Sequence, residues 1–471
     1  MSEPADRGAP AGRRSTRRGG PRKGGSPRSR GRIDTPRRVA YQTLRQVTGD
    51  DAYANLVLPG NLAEAGLSGR DAAFVTELVN GTARHLGTYD AIIAEASGRP
   101  IDGLDPELLD VLRLATHQGL AMRVPDHATV AASVELARSM IGEKVTGLTN
   151  AVTRKLTRRS EQEWLDRLCA GLDELDTLAL RTAHPRWIVD AYAELLPADE
   201  LPAALAANNL PPRTWLAVRP GLAEVAELIE AGGEPSGISE YAVAWPGDPA
   251  EAPGLRQGLV GVQDPGSQLV AATLAAAPAP AGRWLDLCAG PGGKTALLTG
   301  LAREHGDDLV AAEVAPHRAE LVRQAVRAYQ PPPEVVVADG TQPPWSAGSF
   351  ARVLADVPCT GLGALRRRPE ARWRRIPQDL AALVPLQTAL LNSALDLVEP
   401  GGLVGYVTCS PHRAETAGVV DAVLATRGDV ESVPAVVRSA PDAVDEHGRV
   451  QLWPHRHGTD AMFLALLRRT R

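Results

Sequence analysis

Trp284-Leu285-Asp286-Leu287-Cys288-Ala289-Gly290-Pro291-Gly292-Gly293-Lys294-Thr295 decides the fold of the C-terminal half of this chain. The first four residues read as an apolar strand, the glycines as a tight turn and the last residues as a helix start. Glycine lets a backbone adopt positive φ and approach a ligand closely. A helix start offers unpaired N–H groups at the positive end of its dipole. The spacing excludes the two common phosphate-binding loops. A P-loop requires glycine at position 288, where Cys288 stands, and the dinucleotide fingerprint requires it at position 295, where Thr295 stands. What remains is a cofactor with a nucleoside but no pyrophosphate.

The surrounding sequence alternates between short apolar runs and helical stretches. Trp284–Leu287, Leu309–Ala312, Val335–Val337, Val353–Ala355 and Leu403–Val407 are the runs, and Lys294–Leu301, His317–Tyr329 and Leu383–Leu397 are among the helices between them. This is the pattern of a doubly wound parallel sheet, whose ligands sit at the carboxyl ends of the strands. S-adenosylmethionine fits such a site. Its ribose hydroxyls call for a carboxylate at the end of the second strand, and Glu313 stands there, 19 residues past Lys294. The usual offset in nucleoside-binding βαβ units is about 20 residues. Asp339 closes the third strand, where it is placed to accept from the adenine amine.

Two further strand ends carry cysteines, in Asp356-Val357-Pro358-Cys359 and Thr408-Cys409-Ser410. A lone buried cysteine is usually a small hydrophobe, but two on the working edge of one sheet suggest chemistry. C5 of cytosine is a poor nucleophile. A thiolate adding to C6 makes C5 enamine-like, so that it can take a methyl group from a sulfonium, and a base must then remove the C5 proton before the thiolate leaves. Free thiols are only a few per cent ionised at neutral pH, so the site must favour thiolate, and the base must be unpaired or flipped out. Asp356 is placed to meet the base edge near N3 and N4 and to stabilise charge during addition. The local sequence does not order the two thiols. After Cys359 come Arg366-Arg367-Arg368 and Arg372-Trp373-Arg374-Arg375, which suit a phosphate backbone with aromatic stacking, or form a solvated basic helix.

The 471 residues point to about three domains, and a hydrophobic content of 44% with only 4% aromatics means that aliphatic side chains and alanine fill the cores. Residues 1–33 carry ten Lys/Arg against two Asp/Glu, a net +8 in a chain of net charge −5, so residues 34–471 carry −13. The segment has almost no apolar residues and reads as a disordered tail, either an arm for nucleic acid or simply solvated. Helical signals start at Thr35-Pro36 and recur at Pro106-Glu107-Leu108-Leu109 and Asp126-His127-Ala128-Thr129. No run approaches the ~18 apolar residues of a membrane helix. Four cysteines are too few for a disulfide framework, which points to a reducing cytoplasm. The nearest approach to a metal-ligand cluster, His455-Arg456-His457, lacks zinc spacing, and no metal is expected.

Taken together, the motifs resemble the bacterial 16S ribosomal RNA cytosine-5 methyltransferase B family (RsmB, also called Sun or Fmu), over about residues 35–471 and most specifically in the last third. The resemblance implies a multidomain chain. An all-α NusB-like RNA-binding domain (34–160) follows the tail (1–33), then a small α+β connecting module (161–253). The last domain is a Rossmann-like class I methyltransferase (254–471) with a mostly parallel seven-stranded sheet. It further implies that Cys409 is the nucleophile and that Cys359 assists product release. Cofactor contacts fall to Cys288, Ala289, Gly290, Pro291, Gly292, Gly293, Lys294, Glu313, Arg318, Asp339 and Asp356, and the implied partner is small-subunit ribosomal RNA. The chain departs from the family pattern in Val357 for alanine, Gly290 for alanine, and Glu415-Thr416 for Glu-Asn. Rival readings are the same chemistry on transfer RNA, which the NusB-like part disfavours, and a non-catalytic RNA-binding assembly factor, which the two cysteines and the complete cofactor loop disfavour.

Overall fold

The computed structural model describes residues 34–471; the basic segment 1–33, with its expected disorder, lies outside the described residues. From Thr35–Gly49 to Thr146–Leu156 the chain is helical without strands. Asp34 caps the first helix by accepting from the Arg37 N–H, and Asp105 caps Pro106–Leu120 by accepting from two N–H groups, each with proline in the first turn. One apolar cluster gathers Val39, Leu44, Val75, Leu78, Val111 and Leu114, and a second gathers Tyr89, Ile92, Ile93, Leu108 and Leu112. Trp164 fills that second cluster from the helix Glu161–Cys169, so the helical core draws on residues beyond position 160.

Four strands, β1 (Trp215–Val218), β2 (Glu234–Pro235), β3 (Ala242–Ala244) and β4 (Val260–Val262), form an antiparallel sheet in the order β2-β3-β1-β4. β4 lies past position 253. Its Val-Gly-Val run pairs with β1, so the small sheet takes a strand from the stretch expected to open the last domain. The helices Glu174–Arg181, Arg186–Ala193 and Leu201–Ala207 pack instead on Leu362, Leu365, Trp453 and Ala461 of the C-terminal region.

The C-terminal sheet contains β5 (Trp284–Asp286), β6 (Leu309–Glu313), β7 (Glu334–Val337), β8 (Phe350–Asp356), β9 (Val398–Thr408), β10 (Val430–Val433) and β12 (Phe463–Arg469) in the order β10-β12-β9-β8-β5-β6-β7, with the two-residue β11 (Val450–Gln451) added against β12. β5 to β9 are mutually parallel, and β12 runs antiparallel to both of its neighbours, β9 and β10. The seven expected strands are therefore present, with β11 as a short extra. Side chains alternate between two apolar layers: Trp284, Leu354 and Leu403 on one face, Leu285, Val353 and Val404 on the other. The helix Asp379–Leu397 is long and apolar enough by composition to cross a bilayer, yet it lies on this sheet and buries Leu390, Leu391, Ala394 and Leu395. From β5 the chain steps outward to β6 and β7, then crosses back to β8 on the other side of β5. The strand order therefore reverses between β5 and β8, where the carboxyl ends of open α/β sheets form a ligand crevice.

Most of the arginine-rich segment is committed inside the protein, so it is not a solvated basic helix. Arg372 is fully buried and donates to the carbonyls of Ala183 and Asn208 and to Asn209 Oδ1. Arg366 and Arg367 pair with Asp264 and Asp460. Arg374 donates to the carbonyls of Val47, Asp51 and Ala52 in the helical domain. The Trp373 indole donates to the Arg84 carbonyl at 3.1 Å and lies flush against Gly87. The partners of Arg372, Trp373 and Arg374 lie 163 to 327 residues away in sequence, so the segment fastens the helical and C-terminal domains together.

A methyl group at Gly87 would come within 2.2 Å of the Trp373 ring, whereas one at Gly147 meets nothing within 4 Å. Gly87→Ala is expected to cost about 1–3 kcal/mol by overpacking, read as a lower denaturant midpoint, with Gly147→Ala near neutral. An unchanged midpoint for Gly87→Ala would contradict this contact.

Candidate active site

The loop after β5 is held from several directions. Leu287 N donates to Leu354 O of β8 and Ala289 N to Ala312 O of β6. Gly292, with φ of 107°, turns the chain into the helix Gly293–Glu304, and a Cβ there would strike Ala325 at 2.6 Å. Glu313, almost wholly buried, accepts from Gly290 N and Ala315 N, both at 3.0 Å. Arg318 donates to the Gly290 carbonyl at 2.6 Å and lies 3.5 Å from Glu313. A side chain at position 290 would meet Glu313 at 2.4 Å, so glycine at this departure from the family pattern allows the carboxylate to close on the loop.

Two features fit these residues to a nucleoside-bearing cation. Asp339 is exposed, and Thr341 N and Oγ1 occupy only its Oδ1. Beneath the loop, Asp286 Oδ2 accepts from Thr295 while Oδ1 is buried without a protein partner. Burial raises its carboxyl to about 7, against the Thr295 bond that favours ionisation. A carboxyl poised in this way responds to a positive charge brought close above it.

The parallel register of β8 and β9 pairs Asp356 with Val407. From those strand ends the chain brings Cys359 and Cys409 together, Sγ to Sγ 3.4 Å, both free thiols and both partly exposed. Lys294 reaches from the cofactor loop to Asp356 Oδ2 at 2.8 Å, which ties the loop to the thiol-bearing strand end. That contact keeps the ammonium of Lys294 charged despite burial, and its pKa is raised. The two thiols differ in their surroundings. Cys409 is depressed below the ordinary thiol value, first because the Cys359 thiol donates to it, with Lys294 and Arg368 adding positive charge against the opposing burial and Asp356. Cys359 is pushed well above it by that same bond, by burial and by the charges of Glu415 and Asp356. Burial also pushes Cys288 up, with Asp286 and Asp356 adding to the effect, so its thiol is a packing group below the loop.

The residue that sequence reasoning leaves without a role is Glu415. It is fully buried, and its carboxyl accepts from Thr360 N at 2.8 Å, from Thr360 Oγ1 and from Gln387 Nε2 at 3.0 Å. Its own carbonyl accepts from Tyr406 OH at 2.7 Å. Thr360 Oγ1 also meets Ser410 Oγ at 3.0 Å, and Gly363 N donates to the Cys409 carbonyl at 2.8 Å. This network locks the turn after Cys359 to the turn after Cys409. The histidines 455 and 457 face different carboxylates, Glu200 and Asp442, and no group of three metal-ligating side chains occurs among the described residues.

Comparison with known proteins gives two family matches, 16S rRNA methyltransferase RsmB/F over residues 273–468 and the NusB family over residues 34–158. A Mycobacterium tuberculosis protein named only as a methyltransferase is 49% identical over 94% of this chain and 99% of its own length. Ribosomal RNA small subunit methyltransferase B of Vibrio cholerae is 32% identical over 93% of this chain and 98% of its own length. The crystal structure of PH0851 superposes with a TM-score of 0.78 at 24% identity, over 92% of this chain and 98% of that one, a likeness of fold.

The thiol pair predicts an alkylation pattern. Cys409 should react with iodoacetamide before Cys359 as pH rises, and Cys359→Ala, by removing the donor to the thiolate, should move the Cys409 profile to higher pH. Peptide mapping by mass spectrometry reads both; an unmoved profile would show that the 3.4 Å contact does not set its acidity.

Proposed function

The chain belongs to the RsmB/F family of S-adenosylmethionine-dependent 16S ribosomal RNA methyltransferases, and from that premise we propose that it methylates C5 of a cytosine in small-subunit ribosomal RNA through a covalent bond between Cys409 and C6. The observation that carries this reading is the pair of unequal thiols, 3.4 Å apart beside the cofactor loop. A methyltransferase acting on an exposed nitrogen or hydroxyl has no use for two paired thiols at its strand ends. Attack on an unreactive ring carbon needs one thiol to add and one group to release it.

The residues Cys288–Lys294, Glu313, Arg318 and Asp339 would hold S-adenosylmethionine, and Asp356 would border it. Its contribution is an electrophilic methyl group on a sulfonium. The protein supplies the rest. Lys294 holds Asp356 at 2.8 Å, where the carboxylate accepts from the amino edge of the base. Cys409 forms the S–C6 bond. With that bond made, Cys409 no longer carries negative charge, which removes the largest cause holding the Cys359 proton. Cys359, partly exposed, then gives its own proton to solvent and as thiolate takes the C5 proton. The C5–H electron pair re-forms the C5=C6 double bond while the S–C6 bond breaks and its pair returns to Cys409 as thiolate. The pairing that makes Cys409 the nucleophile thus prepares Cys359 as the base for release.

Methyl incorporation into an unmodified 16S transcript should be lost in Cys409→Ala, and normal turnover by that variant would sink the assignment. Cys359→Ala should accumulate an RNA–protein adduct, seen as a shifted band on a denaturing gel. Absence of any adduct would remove its release role.

A further inference from the structure

The helical domain meets the arginine segment that follows Cys359 through Tyr53, the residue before the helix Ala54–Glu64. Two guanidinium groups lie against the Tyr53 ring, Arg368 at 5.1 Å and Arg374 at 5.2 Å from its centroid. Their situations differ. Arg374 spends its donors on three carbonyls of the helical domain. Arg366, Arg367, Arg372 and Arg375 are likewise committed, to Asp264 and Asp460, to buried carbonyls, and to Asp379. Among the described residues, Arg368 is the one arginine of this segment whose side chain has no hydrogen bond or ion pair, and it is exposed.

Its position gives this freedom a use. The short turn that carries Arg368 hangs from the catalytic loop: Gly363 N bonds to the Cys409 carbonyl, and Arg368 N bonds to the Ala364 carbonyl. Its charge is among those acting on the Cys409 thiol. A guanidinium held against an aromatic ring by its charge still has N–H donors to offer, and their fork matches the oxygens of a phosphodiester. The body of the protein, residues 34–471, carries a net −13, so a polyanion needs local cations at the point of chemistry. A nucleotide placed with its base over Cys409 carries its own phosphates beside that base, and Arg368 is close enough to Cys409 for its charge to act on the thiol.

We propose that Arg368, steadied by the Tyr53 ring, is the docking point for an RNA backbone phosphate at the target nucleotide, so that the helical domain completes the substrate site of the catalytic domain. The proposal rests on the reading of the protein as an RNA methyltransferase and adds a residue-level substrate contact to it.

The test measures binding of an unmodified 16S transcript against salt, together with kcat and KM for methylation. Arg368→Ala should raise the RNA Kd and KM on the order of tenfold, as expected for loss of a charge-assisted hydrogen bond. It should also flatten the slope of log K against log salt by about 0.7, the share of one single-strand phosphate. Arg368→Lys should keep the slope and lose part of the affinity. Tyr53→Ala should weaken binding in the same direction while Tyr53→Phe, which keeps the ring, should match wild type. Arg438→Ala, an exposed arginine far along the chain, serves as the control for loss of one surface charge. Affinity for S-adenosylmethionine, read by calorimetry, should be unchanged in all five. An Arg368→Ala slope and KM equal to those of Arg438→Ala would overturn the phosphate contact, and wild-type binding by Tyr53→Ala would overturn the part given to the helical domain. Product analysis of the wild type judges the C5 reading separately: a methyl group found elsewhere on the RNA, with the Arg368 effects intact, would refute that reading and support this site.

Discussion

A buried carboxyl holds the two cysteine-bearing turns together. Glu415 accepts from the main chain and hydroxyl of Thr360 and from Gln387, while its carbonyl takes the Tyr406 hydroxyl. Parallel pairing of β8 and β9 sets the strand ends side by side, but the chain leaves both strands before it reaches either thiol. Without a fastening between the two turns, each cysteine would sample the spread of conformations open to any loop. Glu415 offers its oxygens to one turn while its neighbour Thr416 bonds back to the His412 carbonyl of the other. Buried acceptors of this kind stabilise only when all their partners are present, which makes the arrangement all-or-none and fixes the 3.4 Å approach of the two sulfurs.

That approach in turn determines the chemistry. Two thiols at this distance cannot both ionise, and the asymmetry of their surroundings selects which does. Lys294 and Arg368 favour charge on Cys409; Glu415 and Asp356 disfavour it on Cys359. Lys294 belongs to the cofactor loop and Asp356 to the thiol-bearing strand, so their 2.8 Å contact couples loop placement to thiol acidity. The same logic extends outward through Arg368 to Tyr53 and the helical domain, and through Arg374 and Trp373 to the carbonyls of Val47 and Arg84. One segment of ten residues therefore serves as wall of the site and joint between domains.

Much of this was legible in the sequence, for physical reasons that also explain what was not. β5, β6, β8 and β9 are covered on both faces, so they read as near-continuous apolar runs. β10, with Glu431 and Ser432 exposed between partly buried valines, carries no such signature. The cysteines stood out because strand ends are where open α/β sheets place chemistry. Glu415 did not, because a glutamate in a turn is ordinarily exposed, and its partners Thr360 and Gln387 lie 55 and 28 residues away. The arginine segment reads as free for the same reason: its acceptors are carbonyls and carboxylates that only the folded chain brings near. Trp164 joining the helical core and β4 joining the small sheet are further non-local choices.

The proposed mechanism requires Cys409, and not Cys359, to bond to C6 of the target cytosine. RNA carrying 5-fluorocytosine tests it directly, because fluorine at C5 cannot leave as a proton and the adduct is trapped at the step before release. With wild-type protein and S-adenosylmethionine, the account predicts a stable RNA–protein complex whose crosslinked peptide contains Cys409. A crosslink at Cys359, or no crosslink with RNA that is methylated when unsubstituted, would contradict it.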